Sequence, residues 1–312
     1  MANLAERTKI AAMSAALTKA WQYLEKDPEN NIPKLMDMVD KVAPEGWYES
    51  QRKAFRKAIA DKTNWYELMI KVWDLNEGVR NAFFKNFIVN ASLSGSARQE
   101  AIKEREGCNI PWAILLDPTS ACNMHCTGCW AAEYGNRLNL TLDELDSIVT
   151  QGKELGTFMY IFTGGEPLVR KKDIIALCEK HSDCEFLSFT NGTLIDEEFC
   201  QEMLRVKNFV PAISLEGFES ANDGRRGEGA YKKVDQAMKL LKKHKLPFGI
   251  STCYTSQNYK DISSEEFFDM IIEAGALFVW FFHYMPVGNG AAPQLLPSPE
   301  QRELVYHKIR EY

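Results

Sequence analysis

From Leu4 to about Glu106, apolar side chains recur at three- and four-residue spacing, as in Trp65, Met69, Val72, Trp73 and again in Val79, Phe83, Phe87. That spacing places them on one face of an α-helix. Pro28, Pro33, Pro44 and Gly46 interrupt the pattern, which therefore predicts four to six helices rather than one long one. One-sided apolar faces must be covered by something, and the aromatic residues here suit a helical core better than a ligand box.

After Gly107 the period changes. Short β-rich runs, Trp112 to Asp117, Phe158 to Phe162, Glu185 to Thr190, Phe209 to Leu215, Phe248 to Tyr254 and Leu277 to Tyr284, alternate with amphipathic stretches. The first of these stretches carries its own start signal, because Thr141 and Glu144 form a capping-box pattern ahead of Leu145, Ile148 and Val149. Strand-helix alternation predicts an α/β fold with a parallel sheet. Right-handed crossovers would wind six such units into an open or partial barrel with its binding face at the carboxyl ends of the strands. Pro297, Ser298 and Pro299 then introduce a helical stretch from Glu300 that is still running at Tyr312. The expected organisation is an N-terminal helical region (1–106), a barrel (107–290), and the start of a truncated helical extension (291–312).

With 312 residues, 45% of them hydrophobic, the chain can bury a large core. A net charge of −6 leaves no basic footprint for nucleic acid, although Arg170, Lys171 and Lys172 form a local basic patch. No apolar run is long enough for a transmembrane segment and no signal peptide is visible, so the expected location is cytoplasmic. Eight cysteines in such a chain could signal a disulfide framework, but three of them crowd between Cys122 and Cys129.

Those three, Cys122, Cys126 and Cys129, follow the first predicted strand with C-x3-C-x2-C spacing. Such a loop can wrap three thiolates around one face of a cubane cluster and leave the fourth iron open for reaction. A zinc site completed by His125 is the rival reading. Zinc motifs usually come as two spaced pairs, and no second pair is present. After the second strand comes Thr163-Gly-Gly-Glu-Pro167, where two glycines allow close backbone approach and Glu166 can accept from a cationic amino group.

Together these two motifs resemble the radical S-adenosylmethionine (SAM) superfamily, over about Pro111 to Gly290. The resemblance implies a partial (β/α)6 barrel and a 4Fe-4S cluster ligated by Cys122, Cys126 and Cys129. The amino and carboxylate groups of SAM would chelate the fourth iron, with Gly164, Gly165, Glu166 and Pro167 around the amino group. It extends to Asn191 at the end of the third strand, to Ser214 as a contact to the SAM ribose, and to Arg226, favoured over Arg225, as a contact to its carboxylate. Met285-Pro-Val-Gly288 resembles the segment that lines the adenine. In place of the aromatic residue that commonly precedes the third cysteine this chain has Gly128, with Trp130 following that cysteine, a variant similar to the branch of SPASM-type maturases. The implied activity is reductive cleavage of SAM to a 5′-deoxyadenosyl radical, which abstracts hydrogen from a peptide or small-molecule substrate. An external flavodoxin- or ferredoxin-like donor would supply the electron. A non-catalytic iron-sulfur or zinc-binding module is the alternative of a different class.

Cys253, His283 and Tyr284 lie near strand ends, where ordinary packing is the expectation. Cys108, Cys178, Cys184 and Cys200 have no ligand spacing and are expected to be packed, reduced thiols.

Overall fold

A computed structural model describes residues 4–42, 46, 49–288 and 290–312. Six parallel strands form one sheet in sequential order: β1 (Ala113–Thr119), β2 (Met159–Gly164), β3 (Glu185–Thr190), β4 (Phe209–Ser214), β5 (Gly249–Tyr254) and β6 (Val279–His283). Before the sheet lie α1 (Leu4–Lys26), α2 (Pro28–Val42), α3 (Glu49–Ala60), α4 (Asn64–Lys71), α5 (Glu77–Phe83) and α6 (Ser96–Glu106). The crossovers carry α7 (Leu142–Leu155), α8 (Lys171–Lys180), α9 (Glu197–Val206), the pair α10 (Glu219–Arg226) and α11 (Ala230–Lys243), and the pair α12 (Tyr259–Ile262) and α13 (Glu265–Ala274). A last helix, α14, runs Pro299–Glu311. This is the α/β architecture of a partial barrel preceded by a helical region. Among the described residues no helix is long and apolar enough to cross a membrane.

Alternation along the strands divides two cores. Tyr160, Phe162, Phe186, Phe209, Ile213 and Ile250 face outward and pack under the crossover helices, whereas Met159, Leu187 and Ala212 face inward. The Thr141 capping box is formed, with Thr141 Oγ1 accepting from the Glu144 amide, and α7 ends at left-handed Gly156. β1 runs two residues past the expected Asp117, and its register with β2 shifts between Leu116 and Thr119. Pro118 lies inside that shift. Having no N–H to offer the ladder, it is accommodated by an irregularity, and pairing resumes at Thr119 opposite Gly164. The expected ends of the other strands move by two residues or fewer, β3 not at all.

The barrel interior is closed at the amino ends of the strands by a π-helical segment, Phe84–Gly95, whose Phe87 and Ala91 pack on Met159, Leu187 and Ala212. Asn86 donates to the carbonyls of Ser182 (3.1 Å) and Cys184 (3.0 Å), and Asn90 donates to that of Asp183 (2.8 Å). The helical region is thus sewn to the base of the barrel, leaving the carboxyl ends of the strands open. Part of its aromatic set forms core: Trp21 stacks on Phe84 at 4.3 Å and meets Trp73 at 4.6 Å, and the guanidinium of Arg80 lies over Trp73 while pairing with Glu25 (2.6 Å).

Three expectations about single residues need correcting. Trp65, expected on the core-facing stripe with Trp73, is 72% exposed on α4, a helix that buries none of its residues fully. Cys108 is exposed, because α6 ends at left-handed Gly107 and the chain leaves the surface of the helix there. His283 is also exposed, at the carboxyl end of β6 where no helix covers it. Cys178, Cys184 and Cys200 are buried as packed thiols.

Glu185, at the start of β3, is buried beside the plug with neither carboxyl oxygen hydrogen-bonded. Burial raises its pKa to about 8, offset only partly by the Asn86 amide, whose protons are committed to the two carbonyls named above. Unfolded, the carboxyl titrates near 4.5, so between that pH and 8 the unfolded chain holds fewer protons than the native one and stability falls as pH rises. Each unit of difference corresponds to about 1.4 kcal/mol. Denaturant titrations from pH 5 to 9 are expected to show a loss of a few kcal/mol, and Glu185→Gln should flatten most of that slope.

Candidate functional site

Cys122, Cys126 and Cys129 lie on the loop that leaves β1, all partly exposed at the open end of the barrel. The loop is pinned from three sides. From β2, the Gly165 amide donates to Thr119 O (3.0 Å) and the Glu166 amide to Ala121 O (2.8 Å). A Cβ on Gly165 would fall inside contact distance of the carbonyls of Ser120 and Ala121, so only glycine lets the two turns lie against each other. Gly164 supports the same approach with a φ of 102°.

Glu166 is buried, and its carboxylate accepts from Leu168 N (2.9 Å), Thr190 Oγ1 (2.7 Å) and Asn191 N (2.6 Å). Burial pushes its pKa up, opposed by those three donors and by the nearby Arg226. Its side chain therefore ties the end of β2 to the end of β3, and Pro167 opens the short helix that follows. Asn191 continues the tie: its Nδ2 donates to Asn123 Oδ1 (2.8 Å), inside the cysteine loop. Glu166 and Asn191 thus shape the loop through their side chains, and each carries several protein partners already. Ser214, at the end of β4, is half-buried with a hydroxyl that bonds to no other described residue.

From the third side comes an arginine pair. Glu216, fully buried just after β4, accepts from both Arg225 and Arg226, the latter at 2.7 Å. Burial pushes the Glu216 carboxyl up, but Arg226 and Arg225 more than overcome it and hold it below the usual range. Arg225 also donates from Nε to Thr127 O (3.1 Å), while its own carbonyl accepts from Thr127 N (2.9 Å), and its guanidinium lies over Tyr284 at 5.7 Å. Arg225 is therefore bound into the cysteine loop itself, and Arg226 is the one whose charge reaches Glu166 as well as Cys126. Neither the coupling role of Glu216 nor the clip made by Arg225 was legible from spacing. The available signal was an acid at the end of an apolar strand, followed within one short helix by two adjacent arginines.

Gly128 has a φ of 67°, and a Cβ there would meet the ring and hydroxyl of buried Tyr284, whose Oη accepts from Ala292 N (2.8 Å). The position that departs from the common aromatic is thus one where no side chain fits. Trp130 lies half-exposed, edge-on to Tyr134 at 6.0 Å. Cys253 packs against the Tyr284 cluster, and burial pushes its thiol up to about 11. Met285 and Val287, in the segment likened to an adenine-lining stretch, are exposed at the same open end. Gly128→Ala is expected to cost about 1–3 kcal/mol from backbone strain and the Tyr284 clash. A double-mutant cycle with Tyr284→Ala should recover the clash but not the strain, read from denaturant midpoints.

The arrangement fits a thiolate-ligated cluster. At Cys126 burial pushes the thiol up, with Arg226 and Arg225 opposing it and Glu216 adding to it, and burial pushes Cys122 up as well. The two guanidinium groups thus offset part of the cost of gathering deprotonated sulfurs that a bound cluster would have to meet. Among the described residues no three His, Cys, Asp or Glu side chains are grouped to hold a single metal ion.

Residues 116–270 match the family model described as the Radical SAM superfamily. This segment is a radical SAM domain. The chain is 27% identical over 209 residues to the AdoMet-dependent heme synthase of Methanosarcina barkeri, covering 65% of this chain and 59% of that protein. The Cysteine-type anaerobic sulfatase-maturating enzyme of Clostridium perfringens is 28% identical over 174 residues, 49% of this chain and 47% of the enzyme. The fold is shared with Streptococcus suis SuiB, solved bound to S-adenosylmethionine, at a TM-score of 0.58 and 21% identity over 70% of this chain and 52% of SuiB. The chain thus spans roughly half to three-fifths of these relatives. Radical SAM proteins use a 4Fe-4S cluster and SAM.

Proposed function

We propose that this chain is a radical SAM enzyme in which Cys122, Cys126 and Cys129 ligate the cluster and the turn Gly164-Gly165-Glu166-Pro167 borders the SAM amino group. The observation that carries this is the interlock of the two motifs: the glycine turn is hydrogen-bonded to the cysteine loop through Thr119 and Ala121, so one folded unit presents both. When bound, the cluster and SAM supply reductive carbon–sulfur cleavage and a 5′-deoxyadenosyl radical that removes hydrogen from the substrate.

The chain's own part is positioning and shielding. Glu166 and Asn191 hold the loop's inner edge and Arg225 its outer edge, while Arg226, which spends its Nε and Nη2 on Glu216, would meet a SAM carboxylate through its remaining Nη1. Ser214, with its free hydroxyl at the end of β4, is placed to accept or donate to a ribose. The plug formed by Phe87 and Ala91 closes the opposite end of the barrel to solvent. The electron would come from an external flavodoxin- or ferredoxin-like donor. Heme synthase, sulfatase-maturating enzyme and peptide cyclase are names of relatives with unlike substrates, so similarity does not choose between a peptide and a small molecule.

The test is anaerobic reconstitution with iron and sulfide, then incubation with SAM and dithionite and assay for 5′-deoxyadenosine. Release that requires both iron and reductant supports the proposal. A protein that takes up zinc in preference and leaves SAM intact refutes it.

A further inference from the structure

The inner face of the sheet is apolar and unevenly filled. Phe189 on β3 meets Trp280 (4.8 Å) and Phe282 (5.8 Å) on β6 across the interior, because β4 and β5 place only Ala212, Ser214 and Ser251 between them. This aromatic group occupies one side of the barrel mouth. On the other side Leu115 of β1 is 59% exposed, and within the aromatic group Phe282 is itself 47% exposed, although both stand on strand positions that alternate inward. Large apolar side chains left bare at the open end of a barrel, above a closed base, mark a binding wall more than a surface accident.

One charge stands in that wall. The six strands carry two carboxylates and no Lys or Arg, with Glu185 buried at the base and Asp117 at the mouth. Asp117 is exposed like Leu115 two positions before it, with buried Leu116 between them, and its Cβ and Cγ are 3.1 and 3.2 Å from where a Cβ of Gly164 would stand. Its carboxylate makes no hydrogen bond or ion pair with any described residue. The nearby arginines, by contrast, are both committed to Glu216. Nothing on β1 requires an acid for folding, since Ile114 and Leu116 hold the strand to the outer core without it.

We infer that the barrel mouth between Leu115 and Phe282 is the substrate pocket, and that it takes a cationic group attached to an aromatic or branched apolar body, the cation meeting Asp117. The inference rests on the radical SAM reading for its chemistry but not for its geometry. Asp117 is solvent-exposed in the free chain, with enough neighbouring protein to push its carboxyl upward, and an apolar body seated beside it would deepen that desolvation unless a cation paired with it. The apolar body would lie on Leu115, Ile161 and Phe282, with an edge or face contact to Phe189. A substrate without the cation would leave Asp117 desolvated and unpaired, so the pocket would select against neutral and anionic analogues.

The experiment uses the full chain, reconstituted and saturated with SAM but without reductant, so that nothing turns over. Calorimetric titrations compare tyramine, p-cresol and 3-(4-hydroxyphenyl)propionate, which share a phenol and differ in charge. The expected order is tyramine first, with at least about tenfold preference over the anion, as hydrogen bonds to charged partners provide. Asp117→Asn should erase that preference while leaving SAM affinity unchanged, and Phe282→Leu should weaken the three probes alike. An N-acetyl-Tyr-Lys-amide arm assigns the source: tighter binding than tyramine indicates a peptide, weaker binding a free amine, and either supports the pocket. Absence of a charge preference in the wild type, its survival in Asp117→Asn, or a loss of SAM affinity in that variant overturns the inference. Because the probes need no cleavage of SAM, failure of the pocket is distinguishable from failure of the radical reading, which the 5′-deoxyadenosine assay reports separately.

Discussion

Cys126→Ala is expected to reduce 5′-deoxyadenosine release to the level of iron-free protein, a loss of at least a hundredfold. Cys126 is the central thiol of the loop and the most enclosed electrostatically, with Arg226, Glu216 and Arg225 all within reach of its sulfur. Perturbing outer-shell partners of a metal ligand alone costs roughly 10–100-fold, so removing a ligand sets that as a floor. Two measurements separate this outcome from a folding defect. Iron per chain after reconstitution and the absorbance of the reconstituted cluster should fall, while the denaturant midpoint of the unreconstituted chain should stay within about 1 kcal/mol of wild type, because the thiol is only partly buried and anchors no core cluster. Normal iron content with normal cleavage would remove Cys126 from the ligand set.

The strands, their order of crossovers and the two interlocked motifs were legible because each has a local signature. Period-two apolar runs end in turns, Thr141 and Glu144 cap one helix, and glycines mark close approach at Gly164 and Gly165. What was not legible depends on contacts remote in sequence. Glu166 reads locally as a free acceptor, yet its oxygens are taken by Thr190 and Asn191 from the next strand. Gly128 reads as a departure from an aromatic, and the reason lies with Tyr284, well over a hundred residues away. Pro118 inside β1 needed a register shift that no periodicity announces. The preference for Arg226 over Arg225 rests on motif alignment alone; in the fold both arginines meet Glu216, and Arg225 adds a contact to Thr127.

Those arginines carry the largest stability effect expected here. Glu216 is fully buried and receives two guanidinium groups, with its backbone amide held by Asn222 Oδ1 at 3.2 Å. Breaking a buried ion pair by deleting one partner costs about 3–5 kcal/mol, because the remaining charge is left without water or counter-charge. Glu216→Ala strands two such charges, both on side chains no more than 13% exposed, so the upper part of that range is expected in denaturant titrations at constant m-value. Arg226→Met in the same background removes one stranded charge and should recover part of the loss, whereas Arg226→Met alone should be milder, since Arg225 still meets the carboxylate. The consequence extends to the cysteine loop, because Arg225 is the residue that joins Glu216 to Thr127. If the triad did no more than fill space, Glu216→Gln, which preserves shape and some hydrogen bonding, would be indistinguishable from wild type. If charge holds it together, Glu216→Gln should lose stability nearly as Glu216→Ala does, and iron retention under chelator challenge should fall with it.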